Sequence, residues 1–448
     1  MGECQMTTVK CQMAAVDDAR RAGDDSEMTL RNLLALIALS TMAISIYAAE
    51  AKPPNIVLII SDDQGWGDFG FMGHPTIRTP NLDRLASQSL AFTNGYVTTS
   101  LCRPSLATIL TGLYPHQHKI TGNDPPAGQP RGSMWGFMKE APAVPRLLRA
   151  KGYRSFQTGK WWEEHHESGG FTEGMTVKGR HGDDGLAIGR QTLKPIYDFL
   201  EAGKGEPFFL WYAPMIPHMP HNPPARLLKH YQDGKTDANF AKYYGMCEWL
   251  DETTGELLDY LDKKRLSENT IVVFLADNGW VQNPVGTPNN GARGAPRGKL
   301  SQYDGGLRTP ILIRWPGHVK AERRAELVSS VDLAPTLLAA AGLKADPRMT
   351  GLNLLDVAAG RASHDAVFGE IFEHTTIDVN DPAKNLMYRW VRKGDWKLIV
   401  PAKGDAVELY DVAHDPNEKA EVSNENPAKV AELRALLDGW WDAKGEKQ

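Results

Sequence analysis

The chain has 448 residues, of which 42% are hydrophobic and 23% are charged, and it contains 42 Gly, 29 Pro and four Cys. These proportions exclude a disordered, collagen-like or disulfide-stabilised protein. Lys and Arg number 50 against 55 Asp and Glu, a net charge of −5, whereas proteins that bind nucleic acid usually have a basic excess. The composition therefore predicts a folded globular protein with no nucleic-acid partner.

The N-terminal segment predicts an export signal. A basic residue precedes an apolar stretch at 33–46, and Ala49 and Ala51 form a small-residue cleavage site. The stretch has about 14 residues, short of the roughly 20 that span a bilayer; a buried core helix is the alternative. We predict that residues 1–51 are an upstream extension and a signal peptide, with Met28 as the start. The mature chain would then be exported, periplasmic or extracellular, with no stable membrane span.

Runs of β-branched and aromatic residues predict buried strands that alternate with helices. Continuous apolar runs are typical of strands that are covered on both faces of a parallel sheet. The predicted strands are 55–61, 207–212, 271–276 and 311–315, and the predicted helices are 81–89, 142–151, 240–261 and 332–341. This alternation predicts an α/β sandwich with a mainly parallel sheet.

The pattern changes after about residue 360. Short strands are predicted at 388–391, 396–400 and 408–410, and a helix follows at 427–443. Strands in succession before a closing helix indicate a small antiparallel sheet that packs with one helix. We therefore predict a large domain over 52–360 and a small α+β subdomain over 361–448.

Polar residues follow two of the predicted strands directly. Asp62 and Asp63 come after the first strand, and Asp277 and Asn278 come after the strand at 271–276. Loops at the carboxyl ends of parallel strands form the sites of α/β folds, and adjacent carboxylates repel unless a cation or hydrogen bonds compensate. A turn or a helix cap would explain each pair alone. Together they form an oxygen set that suits Ca²⁺ or Mg²⁺.

A second motif overlaps the first pair. The residues from Gly65 to Gly70 match G-x-G-x-x-G, and Asp83 follows at about the spacing of an acid that binds a ribose. Asp62 and Asp63 lie between the strand and these glycines, however, and would repel a pyrophosphate. No unbroken helix pattern follows the third glycine either. The glycines therefore predict a tight loop rather than a dinucleotide site.

A solitary cysteine lies at the start of a predicted helix. Pro104 is typical of a first helical turn, and Gly112 is typical of a helix end. Cys102 would then lie at the N-terminus, where the helix dipole favours a thiolate. An inert buried cysteine is the alternative.

These segments resemble, in order and spacing, the sulfatases of the alkaline-phosphatase-like superfamily. The resemblance rests on 55–63, 79–86 (TPNLDRLA), 102–112, 152–160, 274–278, 299–310 (KLSQYDGGLRTP), 330–338 (SVDLAPTLL), 394–398 (GDWKL) and 408–411 (ELYD). It implies an alkaline-phosphatase-like sandwich, with a large mixed, mainly parallel sheet between helices, and it makes 52–360 the sulfatase catalytic domain.

The resemblance implies a role for each matched residue. The family's motif cysteine, here Cys102, is converted into formylglycine, whose hydrate attacks sulfur and later expels sulfate. Lys160 and Lys299 match lysines that bind sulfate, and His218 matches the histidine that assists the leaving group. The family's cation ligands, for Ca²⁺ rather than Mg²⁺, match Asp62, Asp63, Asp277 and Asn278. The implied partners are a sulfated small molecule or glycan and a formylglycine-generating or sulfatase-maturing enzyme.

Two positions depart from the family pattern. Leu106 stands where the motif has an arginine, and Trp162 stands where it has a histidine that serves as base. Arg103 is not expected to replace the arginine, because its position is rotated by about 100° around the helix. His165 or His166 could replace the base only after a shift of three or four residues along the chain.

The favoured interpretation is an arylsulfatase-like hydrolase of sulfuric esters. If Cys102 stays a thiol, the chain is instead a pseudo-enzyme that binds a metal and sulfated glycans. A third interpretation keeps catalysis and changes the ester to a phosphodiester or a phosphonate ester.

Overall fold

The computed structural model describes residues 52–178, 181–203, 205–280, 297–404 and 406–443. The predicted signal peptide lies outside these ranges. Residues Pro53–Gln448 form one compact unit. Within the described ranges, every helix is too short or too polar to span a lipid bilayer.

The strands and helices alternate along most of the chain. The strands are β1 Asn55–Ser61, β2 Leu90–Tyr96, β3 Arg154–Gly159, β4 Glu173–Gly174, β5 Phe208–Ala213, β6 Thr270–Ala276, β7 Arg308–Arg314, β8 Glu322–Ser329, β9 Val367–Phe372, β10 Leu386–Lys393, β11 Trp396–Pro401 and β12 Glu408–Asp411. The helices are α1 Pro80–Ser87, α2 Cys102–Thr111, α3 Pro115–His118, α4 Gly136–Glu140, α5 Val144–Leu148, α6 Lys194–Ala202, α7 Ala225–Leu228, α8 Ala238–Lys263, α9 Asp304–Leu307, α10 Leu333–Ala340, α11 Leu354–Ala358, α12 Pro382–Asn385 and α13 Pro427–Trp440.

The first eight strands form one sheet in the order β4-β3-β5-β1-β6-β7-β2-β8. Neighbours pair in parallel, except that β7 runs antiparallel to both β6 and β2. The predicted large mixed, mainly parallel sheet is therefore confirmed. β1 pairs with β5 on one side and with β6 on the other, so the loop after β1 lies at the middle of one sheet edge.

Helices cover both faces of this sheet. Ile56 and Leu58 alternate with Val57 along β1, and the two sets belong to different apolar clusters. The first cluster includes residues of α2 and α10, and the second includes residues of α1 and α8. Because β1 is buried on both faces, the residues between Asn55 and Ser61 are all apolar. The predicted sandwich is confirmed.

The last four strands form a separate antiparallel sheet in the order β12-β11-β10-β9. Leu433 and Leu437 of α13 cluster with Leu398 of this sheet, while Trp390 clusters with Tyr96 of the large sheet. The predicted small antiparallel sheet with one helix is confirmed. The boundary between 360 and 361 remains a prediction, since both sheets belong to one compact unit.

Candidate active site

The strand-end residues meet because their strands are neighbours. Ser61 pairs with Ala276 across β1 and β6, so Asp62 and Asp277 follow side by side. The backbone N–H of Asp63 donates to Asp277 Oδ1 at 3.0 Å, and Asn278 Nδ2 donates to Asp63 Oδ1 at 2.7 Å. The structure thus brings together the four predicted metal ligands.

Three oxygens in this group fit a divalent cation. Among the described residues, Asp62 Oδ2, Asp277 Oδ2 and Asn278 Oδ1 are buried without a hydrogen-bond partner. Such an oxygen costs about 1–3 kcal/mol when it stays unsatisfied. Ligand atoms of Asp62, Asp63, Cys102 and His218 also lie within 4.8 Å of one another and could hold a metal ion. Carboxylate and amide oxygens are the ligands that Ca²⁺ and Mg²⁺ prefer.

Two buried lysines extend this group of acids. Lys160, directly after β3, is 1% exposed; its Nζ forms an ion pair with Asp62 Oδ1 and lies 3.5 Å from Asp277 Oδ2. Lys299 Nζ donates to both carboxylate oxygens of Asp63, at 2.6 and 2.8 Å. Three carboxylates therefore face two ammonium groups, which leaves an excess of one negative charge.

Burial and the nearby lysines change the pKa values of these acids. Burial raises the pKa of Asp277 to about 7 and also raises the pKa of Asp62, with Lys160 opposing. Burial acts to raise the pKa of Asp63 too, but Lys299 and the other cations hold it well below its usual range. A divalent cation would supply the missing positive charge and would keep all three acids ionised.

His218 faces Asp63 from the loop after β5. The N–H of Asp62 donates to Ile216 O at 3.0 Å, which attaches this loop to the end of β1. His218 Nδ1 lies 2.6 Å from Met219 O, and Nε2 lies 3.5 Å from Asp63 Oδ2. A carbonyl oxygen only accepts, so Nδ1 holds a hydrogen and Nε2 is free to exchange one. Burial lowers the pKa of His218 to about 4.

Cys102 is the first residue of α2 and is 1% exposed. Its Sγ lies 3.9 Å from Asp63 Oδ1. Burial raises the pKa of the Cys102 thiol to about 11, although Lys160 and Lys299 oppose this shift. Of the two interpretations of Cys102, burial therefore favours the inert thiol over a thiolate stabilised at the helix N-terminus. A neutral thiol is a poor nucleophile, so the unmodified side chain is unsuited to attack sulfur.

The two departures from the family pattern have structural consequences. Leu106 belongs to the apolar cluster under the sheet and contributes no charge. Arg103 does not replace the missing arginine, as predicted, because its guanidinium is buried in a two-bond ion pair with Glu163. Lys160 and Lys299, by contrast, form ion pairs with Asp62 and Asp63.

Within the described part of the chain, His165 and His166, the two proposed substitute bases, form their hydrogen bonds away from the site. His166 Nδ1 lies 3.0 Å from Thr176 O, and His165 Nδ1 accepts from the N–H of Glu167 at 3.3 Å. His181, which the sequence reasoning missed, packs edge-on against Trp162 with ring centroids 4.2 Å apart. Its ring also lies 6.1 Å from that of His218.

The glycine-rich loop after β1 does not form a dinucleotide site. Gly70 begins a single 3-10 turn, Gly70–Met72, and not a long helix. Asp83 is occupied within the protein, because its Oδ1 accepts from the N–H of Phe71 at 2.8 Å and from Thr79 Oγ1 at 2.9 Å. The predicted tight loop is confirmed.

Comparisons with known proteins show the family of the chain. The sequence profile of the family described as sulfatase matches residues 54–343, and a profile described as N-sulphoglucosamine sulphohydrolase, C-terminal, matches residues 298–439. Human N-acetylgalactosamine-6-sulfatase is 30% identical over 393 residues, which cover 77% of this chain and 73% of the relative. Human arylsulfatase A is 33% identical over 350 residues, which cover 67% of this chain and 66% of the relative.

Solved structures show the same fold. The crystal structure of Ps i-CgsB in complex with k-i-k-neocarrahexaose is 25% identical, has a TM-score of 0.71, and covers 88% of this chain and 94% of its own. The pseudo-enzyme and phosphorus-ester interpretations are not favoured by these relatives. The chain belongs to the sulfatase family and is a hydrolase that acts on sulfuric esters.

Proposed function

We propose that the chain cleaves a sulfate ester on a glycan, with a formylglycine made from Cys102 as the nucleophile. The observation that supports this most is the position of Cys102 at the start of α2, 3.9 Å from an acid that Lys299 also contacts. The glycan is supported by the relatives, since one is named for a sulfated amino sugar and another was solved with a neocarrahexaose.

Each site residue has a role in this proposal. The hydrate of the formylglycine supplies the hydroxyl that attacks sulfur. Lys160 and Lys299 bind sulfate oxygens and stabilise the charge that develops on them. A bound sulfate anion favours the protonated form of His218, which carries a second hydrogen on Nε2. His218 then gives this proton to the ester oxygen as the bond to sulfur breaks, so the glycan leaves as an alcohol. When the second hydroxyl of the hydrate loses its proton, the aldehyde forms again and the bond to sulfate breaks. Water then adds to the aldehyde and restores the hydrate.

Asp62, Asp63, Asp277 and Asn278 hold a divalent cation, Ca²⁺ rather than Mg²⁺. When bound, it polarises sulfate oxygens as a Lewis acid. It also turns an excess of one negative charge into an excess of one positive charge, which attracts a sulfate monoester anion. The three buried oxygens without hydrogen-bond partners support this assignment.

His181 acts as the base that removes a proton from the hydrate when sulfate is expelled. Its support is geometric, since its ring contacts Trp162, the residue at the family's histidine position, and approaches His218. His165 and His166 lack comparable contacts among the described residues. An exported location and a formylglycine-generating or sulfatase-maturing partner complete the proposal, since the conversion of Cys102 requires such an enzyme.

The proposal is tested by peptide mass spectrometry across Cys102, on protein made in its own host or with a matching maturation enzyme. We expect a peptide that contains the aldehyde, and release of inorganic sulfate from sulfated sugars. Cys102→Ala is the control, because it keeps the buried volume similar and cannot be converted. A thiol in every molecule, or equal sulfate release by Cys102→Ala, would refute the proposal.

A further inference from the structure

We infer that a cavity next to His218 takes the alcohol part of the ester and selects against leaving groups with a second negative charge. This inference rests on the proposed sulfatase function. The cavity has a volume of about 610 Å³, and its lining includes Asp183, Asp184 and Met215. A volume in this range is typical of small-molecule sites.

The cavity lies beside the loop that carries His218. Met215 and Pro220 both line it, and they flank His218 in one short loop. Arg190, another lining residue, donates from Nη2 to His218 O at 3.2 Å. Since His218 is proposed to protonate the departing oxygen, the alcohol that is bound to that oxygen must extend past this loop.

The charge of the cavity is set by acids. Asp183 and Asp184 place two carboxylates in its lining. The guanidinium of Arg190 adds one positive charge to the lining, so the three groups leave an excess of one negative charge. The Arg190 donors are used within the protein, since Nε donates to Met215 O at 3.1 Å and Nη1 donates to Asn222 Oδ1 at 3.0 Å. A carboxylate accepts hydrogen bonds from hydroxyl or ammonium groups and repels another anion, most strongly where water is partly excluded.

The remaining lining suits a sugar ring. Met215 and Pro220 offer apolar surface for C–H groups, and Gln191 offers an amide that can both donate and accept. The cavity therefore fits a neutral sugar or an amino sugar with a free ammonium group. A uronic acid or a second sulfate at this subsite would face two carboxylates.

The test uses three aryl sulfates that differ in one substituent remote from the ester: uncharged, carboxylate or quaternary ammonium. We expect the wild-type protein with formylglycine to prefer the cationic over the anionic compound by roughly tenfold in kcat/KM, and added salt to reduce this preference. The double change Asp183→Asn and Asp184→Asn should bring the two values to within about twofold. Asparagine tolerates the positive φ of 49° at Asp183.

The matched control is Glu268→Gln, which removes one negative charge just before β6, at the opposite sheet edge from Asp277. It should keep the wild-type preference. If the double variant does not fold, the single variant Asp184→Asn, at an exposed position, should reduce the charge preference in the same direction. A wild-type protein without charge preference, or a preference that survives both variants, overturns the inference. Failure of all three compounds and of the sulfated sugars, with formylglycine present, would instead overturn the proposed function.

Discussion

Replacing Arg103 by alanine should lower the free energy of unfolding by about 3–5 kcal/mol, because it leaves a buried carboxylate without its partner. Arg103 Nε donates to Glu163 Oε1 at 2.6 Å, and Nη2 donates to Oε2 at 2.7 Å. Both side chains are only 3% exposed. The guanidinium also donates to Met134 O at 3.2 Å. Water cannot replace these bonds unless the loop after β3 opens.

An exposed pair of the same geometry provides the control. Arg226 donates to both oxygens of Glu252, at 2.5 and 2.6 Å, but the two side chains are 62% and 37% exposed. Solvent screens such a pair, so Arg226→Ala should cost about 0.2–1 kcal/mol. The two arginine changes remove similar bonds and differ mainly in burial.

Urea unfolding, followed by tryptophan fluorescence, measures both variants against the wild type. The double change of Arg103 and Glu163 to methionine should recover most of the loss, since replacing both charges avoids an unpaired one. Equal losses for Arg103→Ala and Arg226→Ala would refute the reasoning. So would a double variant that is as unstable as Arg103→Ala.

Three further predictions concern protonation, the cation and the base. Burial raises the pKa of Asp68 to about 7, so the folded protein retains this proton where the unfolded chain loses it. The stability of the wild type relative to Asp68→Asn should therefore fall by about 4 kcal/mol between pH 4 and pH 8, as measured by urea midpoints. Ca²⁺ at about 100 times its Kd should stabilise the protein by about 2.7 kcal/mol in thermal melts, and Asp277→Asn should lose most of this gain. His181→Ala should slow sulfate release by about 100-fold or more, with a changed pH profile, while His166→Ala should not.

The fold was predictable where strands are buried on both faces. β1 and β6 are buried throughout and apolar between their first and last residues, and the predicted bounds agree with the structure within one residue. The edge strand β8 was not predicted, because its sequence ERRAELVS alternates half-buried and exposed positions. The apolar run of β7 predicted a strand but could not indicate its antiparallel direction, which depends on the path of the chain between β6 and β7.

That the proposed metal ligands lie close together was predictable for the same reason. Asp62 and Asp277 each follow a recognisable central strand, and parallel neighbours must end at the same sheet edge. The state of the Cys102 thiol was not predictable, because it depends on desolvation by a packed core that no local pattern reports. The helix N-terminus was predicted correctly, yet its dipole contributes only about 0.3–2 kcal/mol, less than the burial of a thiolate costs here.

The contact between His181 and Trp162 could not be predicted from sequence spacing, because it depends on how a loop closes. The chain leaves β3, passes Trp162 and returns, and the return is closed by two bonds: the N–H of His166 donates to Thr176 O at 3.0 Å, and the N–H of Trp161 donates to His181 O at 3.3 Å. This closure places His181 beside Trp162, although they are far apart in the sequence. His165 and His166 are nearer to Trp162 in the sequence, whereas the closed loop brings His181 into contact with it. The proposed base therefore reaches Trp162 through the closure of a loop, and not through a shift of a few residues along the chain.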